Sequence, residues 1–331
     1  MRIYFVAGVL GLCLAAEVSY AAGPELVVIE KGQQSLAIID PVAGTVVASV
    51  PEGGITGHEV VASPDGRFAY VPIYGNSGVG KPGTDGRKMV VIDVASHKVV
   101  AEVNFGHAVR PHLPAIGPED GLLYVTTELD HSVTIIDPKT LKIVGSIPTG
   151  QAESHMLALS HDGLRGYTAN VGPGTVSVLD IKGRRTIAVI PVAGSVQRIA
   201  VSMDDRWVFT SDETKPRLAV IDTATNKVKN WIALPALGYG GTPTPDGRWF
   251  LLALPDANKV AVIDLASMKL ARTVDVAKAP QAVLVRPDGK RAYVSCAGSN
   301  QVAEIDLSGW KVTRFISTGK STDGMSWAAG N

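Results

Sequence analysis

Apolar and polar residues alternate along this chain in short bursts, and the bursts repeat. In QRIAVS, RWVFTS, RLAVID and KVKNWIAL, within residues 197–234, every second position is apolar or β-branched, the period of a half-buried strand. Turn residues separate the bursts. An aspartate closing an apolar run recurs at Asp40, Asp93, Asp137, Asp180, Asp222, Asp264 and Asp306, the last six spaced 44, 43, 42, 42 and 42 residues apart. The first gap is longer because NSGVGKPGTDG, residues 76–86, is inserted there. A second mark runs alongside: SPDG at 63, PEDG at 118, SHDG at 160, SMDD at 202, TPDG at 244 and RPDG at 286.

Self-similarity at this period, with four strands per unit and almost no helical spacing, predicts an all-β, seven-bladed β-propeller with four-stranded blades. The count comes from the ends. Residues 25–50 supply only the second, third and fourth strands of a unit, whereas GMSWAAG near the C-terminus supplies only a first strand. Six whole units and this composite make seven blades, the ring being closed by N- and C-terminal strands pairing in one blade, which removes the sheet edge at the seam. An open solenoid would need no complementary half-units.

Units such as APQAVLVRPDGKRAYVSCAGSNQVAEIDLSGWKV resemble the YVTN family of β-propeller repeats, whose pattern is roughly P-x-G-V-A-V-S-P-D-G-x-x-x-Y-V, a turn, then V-x-V-I-D-x-x-T. The likeness spans nearly all of residues 22–331, read as a single propeller domain without an internal linker. For function it is permissive: proteins resembling this include exported proteins of unknown role, lyases, lactonases and subunits of redox enzymes.

Composition adds three constraints. MRIYFVAGVLGLCLAAEVSYAAG begins with one arginine, an apolar run and small residues, so residues 1–21 are expected to be a signal peptide and the mature protein to be exported, periplasmic or extracellular. No other segment approaches the length of a membrane span. Cleavage leaves Cys296 as the one cysteine, so packing rather than a disulfide must hold the fold. The 31 basic and 31 acidic residues cancel, which removes the electrostatic basis for binding nucleic acid or an anionic membrane.

Aligning the first strands gives HEVVAS, HLPAIG, HMLALS, QRIAVS, YGGTPT, QAVLVR and DGMSWA. Their leading residues, His58, His112, His155, Gln197, Tyr239, Gln281 and Asp323, are predicted to ring the mouth of the central channel. Three adjacent blades contribute histidine, and closure brings Asp323 beside His58. Converging neutral imidazoles with a carboxylate suit a divalent transition metal such as copper, zinc or iron. A bland alternative stands beside this, since a channel-lining histidine can simply bond water or a carbonyl.

The loops between second and third strands open on the same face and bring Tyr74, Glu128, Asp212 and Cys296; those before first strands bring Arg110 and Glu153. Glu128 or Glu153 is a candidate base toward a metal-bound water. Strand alternation points Glu59 away from the channel, and Cys296 suits a buried filler. GNSGVGKP, residues 75–82, mimics a phosphate loop but ends in proline with no helix to follow; it is better read as a flap over the channel mouth. No nucleophile elbow occurs. Three functions stay open: a metalloenzyme acting on a small molecule, a non-catalytic scaffold binding a small molecule or peptide at the mouth, and a metal-free lyase or lactonase.

Overall fold

The structure is a computed structural model and describes residues 24–76 and 78–328. The expected signal peptide lies outside the described residues.

Seven four-stranded antiparallel sheets form the ring. Blade 1 comprises Val61–Ala62, Phe68–Gly75, Asp85–Asp93 and Lys98–Asn104, and blades 2 to 6 follow in chain order. Blade 7 is composite: Thr322–Ala328 is its innermost strand, paired to Glu25–Glu30, which continues through Ser35–Asp40 to Thr45–Pro51. The predicted blade number, strand count and closure are all observed.

Both repeated marks shape turns. Asp40 Oδ1 accepts from the amides of Val42 and Ala43, and Asp222 Oδ1 likewise from Ala224 and Thr225, the local bonding expected of aspartate in a turn. Ser63 Oγ donates to Asp65 and accepts from the amide of Phe68, a pattern repeated at Ser160, Ser202 and Thr244. Between the third and fourth strands of all seven blades the register slips just before the marking aspartate, as at Ile38/Ile39 and Val262/Ile263. A bulge there adds twist to the outer edge of each blade.

Stability comes from apolar faces pressed between neighbouring blades. Leu251, Val260, Val262, Val294, Cys296 and Ala303 form one such layer and Tyr70, Met89, Val91, Leu123 and Ile136 another. Cys296 is fully buried in the first, its thiol donating to Val294 O at 3.5 Å, and burial pushes that thiol up to about 11. It is filler, as expected. Among the described residues no helix is long and apolar enough to cross a membrane.

The innermost strands are unequal, and this governs the channel. His112 and His155 sit inside Pro111–Ile116 and Ser154–Leu159, whereas His58, Gln197 and Tyr239 precede strands of only two or three residues, Val61–Ala62, Ile199–Val201 and Gly241–Pro243. The register also slips at Pro111/Pro114 and Ser154/Met156, so simple strand alternation is broken at the channel in both groups.

Candidate functional site

Second and third strands of blade 1 are lengthened by the insertion and carry Tyr74 to the channel mouth. Glu128 arrives on a one-turn 3-10 helix, Glu128–Asp130, after the second strand of blade 2. Tyr74 is the hub of the site. Its ring lies 4.8 Å from His58, 5.2 Å from His112 and 5.5 Å from His155, centroid to centroid, and its hydroxyl donates to Glu128 Oε2 at 2.8 Å. The same oxygen takes a bond from His155 Nδ1 at 3.1 Å, while Arg110 Nη1 reaches Glu128 Oε1 at 3.2 Å.

Six of the singled-out residues, His58, His112, His155, Tyr74, Glu128 and Arg110, thus lie together on one face. Their arrangement differs from the expected one. His112 and His155 stack at 3.5 Å and 29°, with His58 edge-on to His112 at 5.4 Å. Asp323 is not a free ligand: Lys31 Nζ holds one oxygen at 2.9 Å and Arg198 Nη2 the other at 3.1 Å. Among the described residues no three His, Cys, Asp or Glu side chains are placed to hold a metal ion. His112 and His155 are stacked and Asp323 is engaged by two cations, so the expected four-donor set is not assembled among the described residues.

Electrostatics follow from burial. Burial drives His58 down to about 3 against the opposing pull of Asp323. His112, 1% exposed, is held well below the ordinary value by burial and by its two imidazole neighbours. Burial also lowers His155, against the pull of Glu128. All three rings are neutral at pH 7. Burial pushes Glu128 upward, yet the bonds from His155, Tyr74 and Arg110 outweigh it and keep the carboxylate ionised. A carboxylate on Nδ1 fixes the tautomer of His155 with its lone pair on Nε2. His112 Nδ1 is buried with no partner.

Arg110 ties the insertion to this network, its Nε donating to Asp85 Oδ1 at 2.5 Å and Nη2 to Lys81 O at 2.6 Å. A hollow of about 340 Å³ lies beneath, lined by Lys81, Arg110, Glu128, His131 and Glu153. Glu153 accepts from the amide of Gly172 at 2.6 Å. Arg110 and Glu153 both have left-handed backbone, φ 48° and 52°, but so do Ala279 and Ser321 at the matching positions of blades 6 and 7, so this conformation belongs to the repeat.

The remaining expected residues divide. Gln281 bonds the carbonyl of its own loop, Ala279 O, at 3.3 Å, and Asp212 is spent on its turn and on Arg217 Nε at 2.9 Å. Gln197 is replaced in the channel by its neighbour Arg198, which lies over the Tyr239 ring at 4.5 Å. Glu59 points inward, against the alternation argument, and pairs with Arg198. Lys31, Glu59 and Arg198 are the channel residues that strand alignment missed.

The lead-in carrying His58 needs its own support. Gly57 bridges to Ile73, and a Cβ there would stand 2.5 Å from Val71 Cγ1. Its amide donates to Glu52 Oε2 at 2.7 Å, while Oε1 is buried without a partner. Burial pushes Glu52 up to about 7. An acid raised in the folded state contributes stability that is complete below its unfolded value and declines as pH climbs through 7. Glu52→Gln is therefore expected to gain on the order of 1–3 kcal/mol over wild type between pH 5 and pH 8, read from urea melts; identical slopes for the two proteins would mean that Glu52 titrates normally.

No curated protein matches the chain. Among solved structures, a chain of Kuenenia stuttgartiensis hydrazine synthase superposes with a TM-score of 0.74 at 19% identity, over 90% of this chain and 99% of that one. The dihydro-heme d1 dehydrogenase NirN in complex with DHE superposes at 0.67 with 16% identity, over 94% of this chain and 76% of that one. At such identities the likeness is one of fold. The cytochrome D1 heme domain pattern matches residues 23–155 and again 117–238, well over half of the sequence, and the chain therefore belongs to the cytochrome D1 heme domain family.

Proposed function

We propose that this protein is an exported propeller that binds an iron tetrapyrrole at its channel mouth, with His58 as the donor to iron. The observation carrying this reading is a half-buried, uncharged imidazole with the rings of Tyr74 and His112 packed against it. The family and the heme d1 enzyme that shares its fold favour the ligand class. Donor chemistry discriminates among metals. Bare copper or zinc asks for three or four protein donors, whereas iron already held by a macrocycle asks for one or two axial ones.

Space is the second test. The mid-channel is occupied by Arg198 and its partners, and the hollow at the mouth, about 340 Å³, stands at the small end of ligand sites, which run to roughly 1,000 Å³. A macrocycle is not enclosed there; the residues fit a ligand lying across the mouth. Iron in such a ring would supply ligand exchange or electron transfer. The chain's own part is to keep His58 unprotonated, to hold the His155 tautomer through Glu128, and to offer Lys81 to carboxylate side chains.

Titrating the metal-free protein with hemin tests this. A saturable 1:1 Soret shift is expected, weakened in His58→Ala by more than the roughly 10–100-fold typical of an outer-shell change, with near-UV circular dichroism unchanged. Equal titrations for both proteins, or none, would remove the assignment. A second reading, acid–base chemistry on a small molecule without metal, rests on the Tyr74–Glu128–His155 contact. It predicts activity that survives chelator and is lost in Glu128→Gln.

A further inference from the structure

The insertion of blade 1 reaches across blade 2 to blade 3. Its base is fixed: the amide of Asn76 donates to Thr84 O at 3.1 Å, the amide of Thr84 to Asn76 Oδ1 at 2.7 Å, and Gly86 O accepts from the amides of Val109 and Arg110 at 3.0 Å each. Its tip is not packed. Of residues 78–84 all but Val79 are exposed, so almost no apolar burial holds them, and segments of that kind open at low free-energy cost. Two contacts keep the tip in place. Arg110 Nη2 donates to Lys81 O at 2.6 Å, and Gly80, at φ 65°, sits so close to the Glu153 carboxylate that a Cβ would stand 2.4 Å from Oε1. The tip thereby becomes a wall of the hollow of about 340 Å³, which Gly80, Lys81 and Pro82 line together with Arg110, Glu128 and Glu153.

Arg110 serves more than the tip. It is buried, and its donors point three ways: Nε to Asp85 at the base of the insertion, Nη2 to Lys81 at the tip, and Nη1 to Glu128 Oε1 in the site, where the other carboxylate oxygen holds Tyr74 and His155. Insertion and site carboxylate share one guanidinium. We infer, on the reading of the mouth as a ligand site, that residues 78–86 form a lid with Arg110 as its latch, so that ligand passes only while the Lys81 contact is released. Asp85 keeps the latch set by holding the guanidinium under Lys81 O. A charge-assisted bond of this kind biases an opening equilibrium by roughly 10–100-fold, and closure by such loops governs exchange at many sites.

Asp85 does not line the hollow, so replacing it tests the latch without touching the ligand's surroundings. Nitroxides on Lys81→Cys and on Asp256→Cys, an exposed residue of the 3-10 turn that matches Glu128–Asp130 in blade 5, report the lid by double electron–electron resonance with no ligand present. A narrow distance distribution is expected in the otherwise unaltered protein, and a broader, longer one when Asp85→Ala or Arg110→Gln is added. Hemin is the second probe. In Asp85→Ala its association and its dissociation, the latter read by transfer to apomyoglobin, should both quicken about tenfold, leaving affinity within about threefold of wild type. An unchanged distance distribution would overturn the lid whether or not hemin binds, and so would faster dissociation alone, the mark of a lost contact rather than an opened gate. A broadened distribution in a protein that takes up no hemin would support the latch and remove the iron assignment.

Discussion

Arg198→Met is expected to lose about 3–5 kcal/mol of stability at pH 7.5, the usual penalty for removing one partner of a buried ion pair. Glu59 and Asp323 are 6% and 2% exposed, and without the guanidinium only Lys31 remains to face them. Methionine keeps the aliphatic stem but not the guanidinium group, so the charge and its volume are lost together. Two signatures separate this from ordinary misfolding. The deficit should shrink as pH falls toward 7 and level off below it, because Glu59, freed of Arg198, takes up its proton at a higher pH than in wild type. Arg198→Met combined with Glu59→Gln should recover at least half of it. Urea melts of the three proteins decide the matter, and a single-variant loss below about 1 kcal/mol would show that the cluster contributes little.

Ending the chain at Gly319 should be more damaging still. Thr322–Ala328 is the innermost strand of the closing blade, hydrogen-bonded along Glu25–Glu30. Its removal uncovers Leu26 and Val28, now fully buried, takes away Met325 and Trp327 packed against them, and strips Asp323 from Lys31 and Arg198. At roughly 1.5–3 kcal/mol for each large apolar side chain exposed, the loss exceeds about 5 kcal/mol, most of what a domain has to spare. Calorimetry should show no cooperative transition. A truncated protein melting within a few degrees of wild type would mean that the ring does not depend on this seam.

How far these features were legible in the sequence depends on what set them. Blade number and closure were readable because Asp93, Asp137 and their successors are turn formers at a fixed spacing, and the half-units at the ends are complementary. The gathering of His58, His112, His155, Tyr74 and Glu128 was readable for the same reason: equivalent strand starts must meet around an axis. What escaped was conformation below the level of the strand. Whether imidazoles stack or aim at one point is decided by rotamers, and the stacked pair His112 and His155 chose the former. Glu59 was misjudged, and Gln197 chosen where Arg198 is the channel residue, because strand geometry was applied where regular strand has not yet begun. Lys31 comes from the turn after Glu25–Glu30 and meets Asp323 across nearly the whole chain, a pairing that no local pattern announces.

The salt-bridged cluster around Arg198 also stoppers the axial bore. On the proposed reading, a ligand held on the His58 side would arrive and depart by the mouth beside Lys81. Traffic at such a blind vestibule is exclusive: an incoming molecule waits for the resident to go, so dissociation of the resident, not supply of the newcomer, sets the pace of exchange.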